Sequence, residues 1–404
     1  MLNEWKSLTS PQKHAFVAAF LGWTLDAFDF FLMIYVLGAI AAEFKTNVTA
    51  VSVAVTLTLA MRPAGALFFG ALADQFGRRP ILMIDILLFA ILELVSAFAP
   101  TLLALIVIRA AFGFAMGGEW GIGSSLAMET IPKSARGLAS GVIQEGYACG
   151  NLLAGLVYWL LFDHIGWRGM FMVGVLPALL VMYIRRNVQE SPVWHGLRER
   201  KQRRPIGQLI ASHWVLFLYV VVLMTSFNLF SHGTQDLYPT FLKATHKFTT
   251  QRVGIIAAIG NVGAIMGGIF FGRLSQRIGR RRAIVYAALL ALPVIPLWGF
   301  ANTTLMLVTG LFFMQISVQG AWGVIPVHLN ELSPNEVRGT FPGFAYQLGN
   351  LFASGIITVQ ASYAEHHGNN YPVALAAAAG AAAILIAVLT SVGREAHGVE
   401  FGGA

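Results

Sequence analysis

The chain has 404 residues, of which 56% are hydrophobic and only 11% charged, with a mean hydropathy of +0.68. A soluble domain carries about a quarter charged residues, so this composition excludes a soluble protein of such length and points to an integral membrane protein. The net charge of +8 sits in clusters between apolar stretches, which argues for orientation signals rather than nucleic-acid contact, and the single cysteine, Cys149, excludes an internal disulfide.

A membrane span needs roughly 20 mostly apolar residues. Twelve windows qualify in chain order: 15–43, 50–73, 80–98, 101–128, 136–160, 167–185, 211–241, 252–275, 283–300, 303–330, 339–362 and 372–391. Lys6 and Lys13 precede the first window, which is far too long for a cleavable signal. The connections are short except for a basic stretch between Arg185 and Arg204. The chain therefore divides into an N-terminal bundle, 1–190, a linker, 191–210, and a C-terminal bundle, 211–404. Twelve spans put both ends on one side, and that side holds 20 of the 27 Lys and Arg residues, against five in the opposite loops. The positive-inside rule then places both termini in the cytoplasm of a multi-pass plasma (inner) membrane protein.

Two motifs repeat at one spacing. Gly70-Ala-Leu-Ala-Asp74-Gln-Phe-Gly77-Arg78-Arg79 recurs as Gly272-Arg-Leu-Ser-Gln276-Arg-Ile-Gly279-Arg280-Arg281, and Glu129 to Gly137 recurs as Glu331 to Gly339, both at an offset of 202 residues. A shared offset of half the chain indicates duplication of a six-helix unit. Parallel repeats about an axis along the membrane normal are one known outcome of such duplication.

A charge at mid-bilayer is costly, so each one is a functional candidate. In chain order these are Asp26 and Asp29, three apart on one face of the first span, Arg62 in the second, Glu93 in the third and Arg109 in the fourth. Glu119 and Glu145 lie nearer the cytoplasmic ends of the fourth and fifth spans, and Glu93 reads as structural. In the seventh span Asn228, His232 and Asp236 are four apart and stack on one face, with Ser231 and Gln235 beside them. So many polar groups in one span require a wet cavity. Gln347 and Asn350 in the eleventh span, and Gln144 in the fifth, extend it. No zinc-spaced His/Glu pair, nucleophile with partners or nucleotide loop is present, which argues against an enzyme. A receptor that only binds would keep the fold but accumulate nothing.

Gly70 to Arg79 resembles the signature loop of the major facilitator superfamily, Arg109-x3-Gly113-x3-Gly117-Gly118-Glu119 its fourth-helix motif, and Gln189 to Trp194 the segment after its sixth helix. Asn228-x-x-Ser231-His232-x-Thr234-Gln235-Asp236-x-x-x-Thr240 is similar to the seventh-helix motif of Jen-type lactate/pyruvate:proton symporters, in the sialate:proton symporter branch. The resemblance implies an all-α integral membrane fold of twelve transmembrane helices in two six-helix parallel repeats. It implies gating by Asp74, Arg78, Glu129, Arg136, Glu331 and Arg338, and proton coupling through Asp26, Asp29, Arg109 and Asp236, with Asp29 opposite Arg109. Glu129/Arg136 and Glu331/Arg338 are the expected gating pairs.

The expected function is proton-coupled symport of a small monocarboxylate, lactate or pyruvate, with a larger acid such as sialate or an aromatic acid as the alternative. A carboxylate needs a cation, and Arg62 is the one placed to supply it. Asn228, Ser231, His232, Gln235, Gln347 and Asn350 complete the expected substrate site. No cofactor beyond the co-transported proton is expected, and the partners are the substrate, the proton and the bilayer, with the chain acting as a monomer.

Overall fold

The computed structural model describes residues 2–199, 206–368 and 370–401, and every regular element among them is helical. The basic residues Arg200, Lys201, Arg203 and Arg204 of the expected linker lie outside the described residues. Short helices Pro192–Glu199 and Ile206–Ser212 flank them.

Among the described residues the helices make twelve crossings. In the first half α1 is Ser10–Glu43, α2 is Val48–Phe76 and α3 is Arg78–Ser96. α4 is broken into Leu102–Met116 and Glu119–Thr130. α5 comprises Arg136–Gln144 and the helix that starts at Gly146. That helix turns at Gly166 (φ 62°), beyond which its end, at Val173, joins Pro177–Asn187 to form α6. In the second half α7 comprises Trp214–Gln235 and Tyr238–Ala244, α8 is Thr250–Ile278 and α9 is Arg280–Gly299. α10 joins Thr304–Trp322 to Ile325–Leu332, α11 joins Phe341–Ala353 to Ile356–His366, and α12 is Tyr371–Val392.

Nine helical stretches among the described residues are long and apolar enough to cross a membrane, and one, Lys133–Asn187, contains two crossings. The remaining two crossings depart from that pattern for local reasons. α3 carries Arg78, Arg79, Asp85 and Glu93 within 19 residues, and α11 is divided at Ser354 and Gly355. At 1.5 Å per residue the 34 residues of α1 extend about 50 Å, longer than a hydrocarbon core of about 30 Å, so its ends stand in the interfaces.

Lipid offers no hydrophobic drive for helices to associate, so close backbone approach at small residues does that work. α2 meets α4 where a Cβ on Gly65 would collide with the carbonyl of Phe114. α8 meets α10 where a Cβ on Gly267 would collide with the carbonyl of Ile316. Both partners differ by the offset of 202 seen in the loops, so the duplication extends into the packing. Gly77 and Gly279 end α2 and α8 with φ of 115° and 94°, a conformation glycine adopts without steric cost and which turns the chain directly into the next helix. Between the halves, α2 packs on α11 and α5 on α8.

Gly65→Val and Gly267→Val should each lower stability by about 1–3 kcal/mol through overpacking, seen as reduced folded yield and a lower unfolding temperature in detergent. Gly38→Ala, where a Cβ meets nothing within 4 Å, should be neutral or mildly stabilising.

Candidate functional site

The break of α7 after Gln235 exposes its polar face between the halves. A cavity of about 70 Å³ is lined there by Arg62, Gln144 and Tyr147 from the first half and Asn228, His232 and Asn350 from the second. Ser231, Gln235 and Asp236 also reach it. A second cavity, of about 390 Å³, shares Tyr147, Gln235, Asp236 and Gln319 with the first. It extends away from the end of the molecule that carries the termini, past Tyr35, Asn151 and Asn261.

Arg62 is 4% exposed and donates from Nη2 to Asp26 Oδ1 at 3.2 Å and to Met116 Sδ at 3.4 Å, with its guanidinium 5.3 Å from the Phe30 ring. The guanidinium expected to meet substrate is thus already compensated in this state: Asp26, buried behind it, neutralises it. Arg62 Nε and Asp26 Oδ2 make no hydrogen bond. In the second half His232 Nδ1 lies 2.9 Å from Asp236 Oδ2 and Nε2 lies 3.1 Å from Asn350 Oδ1. Both ring nitrogens therefore face acceptors, which only the imidazolium can satisfy; a neutral ring requires the Asn350 amide to turn over. Asn228 donates to the Met224 carbonyl of its own helix and Gln235 to Gln315 Oε1, at 2.8 and 3.2 Å.

Arg109 does not meet Asp29 as expected. It pairs with Glu93 and stacks on Phe112, its guanidinium 3.8 Å from the ring centroid. α3 packs directly on α4, and the longer glutamate reaches across that seam. Asp29 is fully buried with both oxygens unbonded, facing Gly174 beside Glu93. Asp29 and Arg109 thus stand away from both cavities. Gln347 is a further correction: it lines neither cavity and is 1% exposed, because Tyr346 and Asn350, four apart, take the cavity face of α11.

The end that carries the termini is closed. Asp74 accepts from Gly339 N at 2.8 Å, Thr340 N at 3.0 Å and Thr340 Oγ1 at 2.6 Å, tying α2 to the start of α11. The duplicate Gln276 accepts from Gly137 N at 3.1 Å and donates to the Lys133 carbonyl at 2.8 Å, tying α8 to α5 with an amide in place of the acid. The expected gating pairs exchange partners. Glu129 pairs with Arg78 at 3.1 Å and lies 3.7 Å from Arg338, and Glu331 pairs with Arg280 at 2.9 Å. Arg136 donates to the Val399 carbonyl at 3.0 Å. Pro132 and Pro334 open the short turns Lys133–Ala135 and Asn335–Val337, which carry each arginine past its own loop's glutamate. Outside the membrane, Lys133 holds the exposed Glu400 carboxyl below its usual range.

Sequence reasoning missed the aromatic lining. Trp23 stacks on Tyr147 at 5.7 Å between centroids, and Tyr346 contacts Trp120 and Trp322 at 4.8 and 5.5 Å. It missed Asp85, fully buried with both oxygens unbonded, and Gln315 and Gln319 on α10. Glu190 and Glu395 were also not assigned. Each accepts from the first two amides of a helix, α3 and α9 respectively, at 3.0 to 3.3 Å. Each stands three residues beyond the last helix of its half, which ends at Asn187 or Val392, and that shared position of a carboxylate is the signal that could have found them.

Residues 19–358 match the Major Facilitator Superfamily. The chain is 30% identical to the sialic acid transporter NanX of Escherichia coli (strain K12), over 86% of this chain and 87% of that protein. It is 31% identical to a probable 4-methylmuconolactone transporter of Cupriavidus pinatubonensis, over 90% and 87%. A carboxylic acid transporter protein homolog of Saccharomyces cerevisiae is 28% identical over 91% of this chain, which spans 64% of that protein's length. Among solved structures, the proton:xylose symporter XylE superposes with a TM-score of 0.82 at 19% identity, covering 97% of this chain and 98% of that one, which shows the fold.

Glu93→Ala should cost about 3–5 kcal/mol, since it leaves the buried Arg109 charge uncompensated. Asp29→Asn, which removes no hydrogen bond, should cost far less. Thermal unfolding of the purified variants in detergent compares the two directly.

Proposed function

Since the chain belongs to the Major Facilitator Superfamily, and its relatives are transporters rather than enzymes, we propose that it is a proton-coupled symporter of a small monocarboxylate such as lactate or pyruvate. The observation that carries this reading is Arg62 at the wall of the 70 Å³ cavity, paired from behind with the buried Asp26. A guanidinium binds a carboxylate through two parallel hydrogen bonds, and Arg62 already holds one. An incoming substrate carboxylate takes the place of Asp26, and Asp26, stripped of its counter-charge in a dry site, takes up a proton. Substrate and proton enter together, and the net charge of the cavity does not change. Asp29 lies one turn along α1 within electrostatic reach of Asp26, Arg109 and Glu93, and is the next stop for the proton.

Opposite Arg62, Asn228, Ser231, Gln235 and Asn350 offer hydrogen bonds to the substrate's remaining oxygens. His232 and Asp236 set the protonation of that wall, since losing the ring proton requires the Asn350 amide to turn. With both termini in the cytoplasm, as the basic loops indicate, the closed end is the cytoplasmic one and the larger cavity leads outward. The bundles 1–190 and 211–404 then rock about the site on the linker 191–210. Asp74, Arg78, Glu129, Arg136, Glu331 and Arg338 break and remake their bonds on the cytoplasmic side. Gln347 acts in that inter-half packing rather than on substrate.

The cavity at Arg62 has room for about two water molecules, which favours a three-carbon acid. The second reading, symport of a larger organic acid, is favoured by the adjoining 390 Å³ cavity and by the relatives named for sialic acid and methylmuconolactone.

Uptake into proteoliposomes decides between them. An inward proton gradient should drive lactate above equilibrium, while sialate and muconate neither accumulate nor compete. Arg62→Lys should lose at least about tenfold in apparent affinity, because it keeps charge but not the planar fork. His232→Gln should retain binding and flatten the dependence of uptake between about pH 5 and about pH 8. Uptake of lactate indifferent to the gradient would remove proton coupling, and competition by sialate would favour the larger acid.

A further inference from the structure

Glu145 is the residue at which α5 breaks, between Arg136–Gln144 and the helix from Gly146, and it is 2% exposed. Its side chain points across the seam between the halves, onto α8. A Cβ built on Gly268 would lie 2.8 Å from Glu145 Cδ, so the carboxyl group occupies the space glycine leaves free. Neither carboxyl oxygen has a hydrogen-bond partner. The seam around it is built from backbone. Gly141 abuts the Gly268 carbonyl, Gly272 meets Gly137, and Ser140 Oγ donates to the Gly323 carbonyl and accepts from Val327 N, at 2.7 and 3.0 Å.

Among the described residues no counter-charge pairs with Glu145. From α8 it faces Gly268, and the arginines of that helix, Arg252, Arg273 and Arg277, make no bond with it. On α1, Asp26 serves Arg62 and Asp29 is itself unbonded. On α4, Glu119 is unbonded and Glu129 is paired with Arg78. On α10, Glu331 is paired with Arg280 and His328 has no hydrogen bond. Cys149, one turn along the same helix, is a thiol and brings no counter-charge. An unpaired carboxylate ion does not persist in such a place, whereas the neutral acid does.

The duplication supplies an internal control. At the offset of 202, Glu145 corresponds to Gln347, a buried amide of the same shape whose Oε1 is also unbonded. Asp74 corresponds to Gln276. Each seam therefore carries one acid and one amide in exchanged positions: Asp74 with Gln347 on α2 and α11, and Gln276 with Glu145 on α8 and α5. Asp74 is held across the seam by Gly339 N, Thr340 N and Thr340 Oγ1 and is paired with Arg78 at 2.9 Å, so its seam tolerates the ion. Glu145 has none, so its seam tolerates the neutral form alone, as at Gln347.

We infer that Glu145 is a proton-binding residue that licenses closure of the α5–α8 seam: the seam closes when Glu145 carries a proton and opens as Glu145 ionises into water. A transporter with this device releases a proton on the side of the termini each time it opens there. The inference rests on the alternating-access part of the proposed function and not on the identity of the substrate or on Asp26 as its proton acceptor.

The test is a distance measurement on the full chain in nanodiscs without substrate. Spin labels are placed at Ser134→Cys and Arg277→Cys, two exposed positions on either side of the seam, in a Cys149→Ser background. Raising the pH from about 5 to about 9 should add a longer component to the distance distribution of the parent, and Glu145→Gln should hold the short component at both values. Glu145→Asp should restore the response. Gln347→Glu, labelled at Phe76→Cys and Glu336→Cys, should create a pH response on the α2–α11 seam. A Glu145→Gln chain with the parent's pH response, a parent with none, or a Gln347→Glu seam unmoved by pH each overturns the inference. Failure here with lactate uptake still proton-driven would leave the proposed function standing, and the converse result would leave Glu145 in place.

Discussion

Arg62 and Asp26 share one hydrogen bond in the middle of a membrane protein, and much of the site is arranged around that bond. Breaking a buried ion pair by removing one partner costs about 3–5 kcal/mol, so neither group can be left alone. Any event that takes Arg62 from Asp26 must deliver another anion to Arg62 and a proton to Asp26. The binding chemistry and the proton chemistry are then a single constraint. Arg109 and Glu93 obey the same rule without facing either cavity, and their stacking on Phe112 reads as a fixed strut rather than a moving part. The same rule disfavours the ionised form at Asp29, Asp85, Glu119 and Glu145, which are fully or nearly buried and without hydrogen bonds.

The second constraint is geometric. Two six-helix units descended from one sequence meet along two seams, and glycine pairs let backbones touch there. At the end that carries the termini, Asp74 clamps one seam and Gln276 the other, each accepting from the equivalent glycine amide, Gly339 or Gly137. The two clamps differ in chemistry. A carboxylate held by three donors across the seam and paired with Arg78, which Glu129 shares, responds to charge, while an amide does not titrate. The halves are therefore alike in shape and unlike in what can trigger them.

The duplication, the twelve spans and the polar face of α7 were legible in the sequence because each depends on spacing along the chain. The repeat offset survived in loop motifs, and the four-residue spacing of Asn228, His232 and Asp236 by itself places them on one face. Partner choice was not legible, because it depends on which helices are neighbours and how each is rotated. Arg109 found Glu93 since α3 lies against α4. Gln347 and Asn350, three apart, were expected to share a face, yet the cavity face of α11 runs through Tyr346 and Asn350. Loop glutamates paired with arginines from the preceding loop because proline-led turns carry the chain past the local partner. Asp85 was hidden in a span already rich in charge.

The claim that binding and protonation are one exchange at Arg62 is tested most directly by calorimetry of lactate binding to the purified protein in buffers of different ionisation enthalpy. The account predicts uptake of roughly one proton per bound carboxylate above the titration range of free carboxylic acids. It also predicts that Asp26→Asn, which leaves Arg62 free to accept the substrate, binds lactate with no linked proton. Binding without proton uptake in the parent chain, or undiminished uptake in Asp26→Asn, would contradict it.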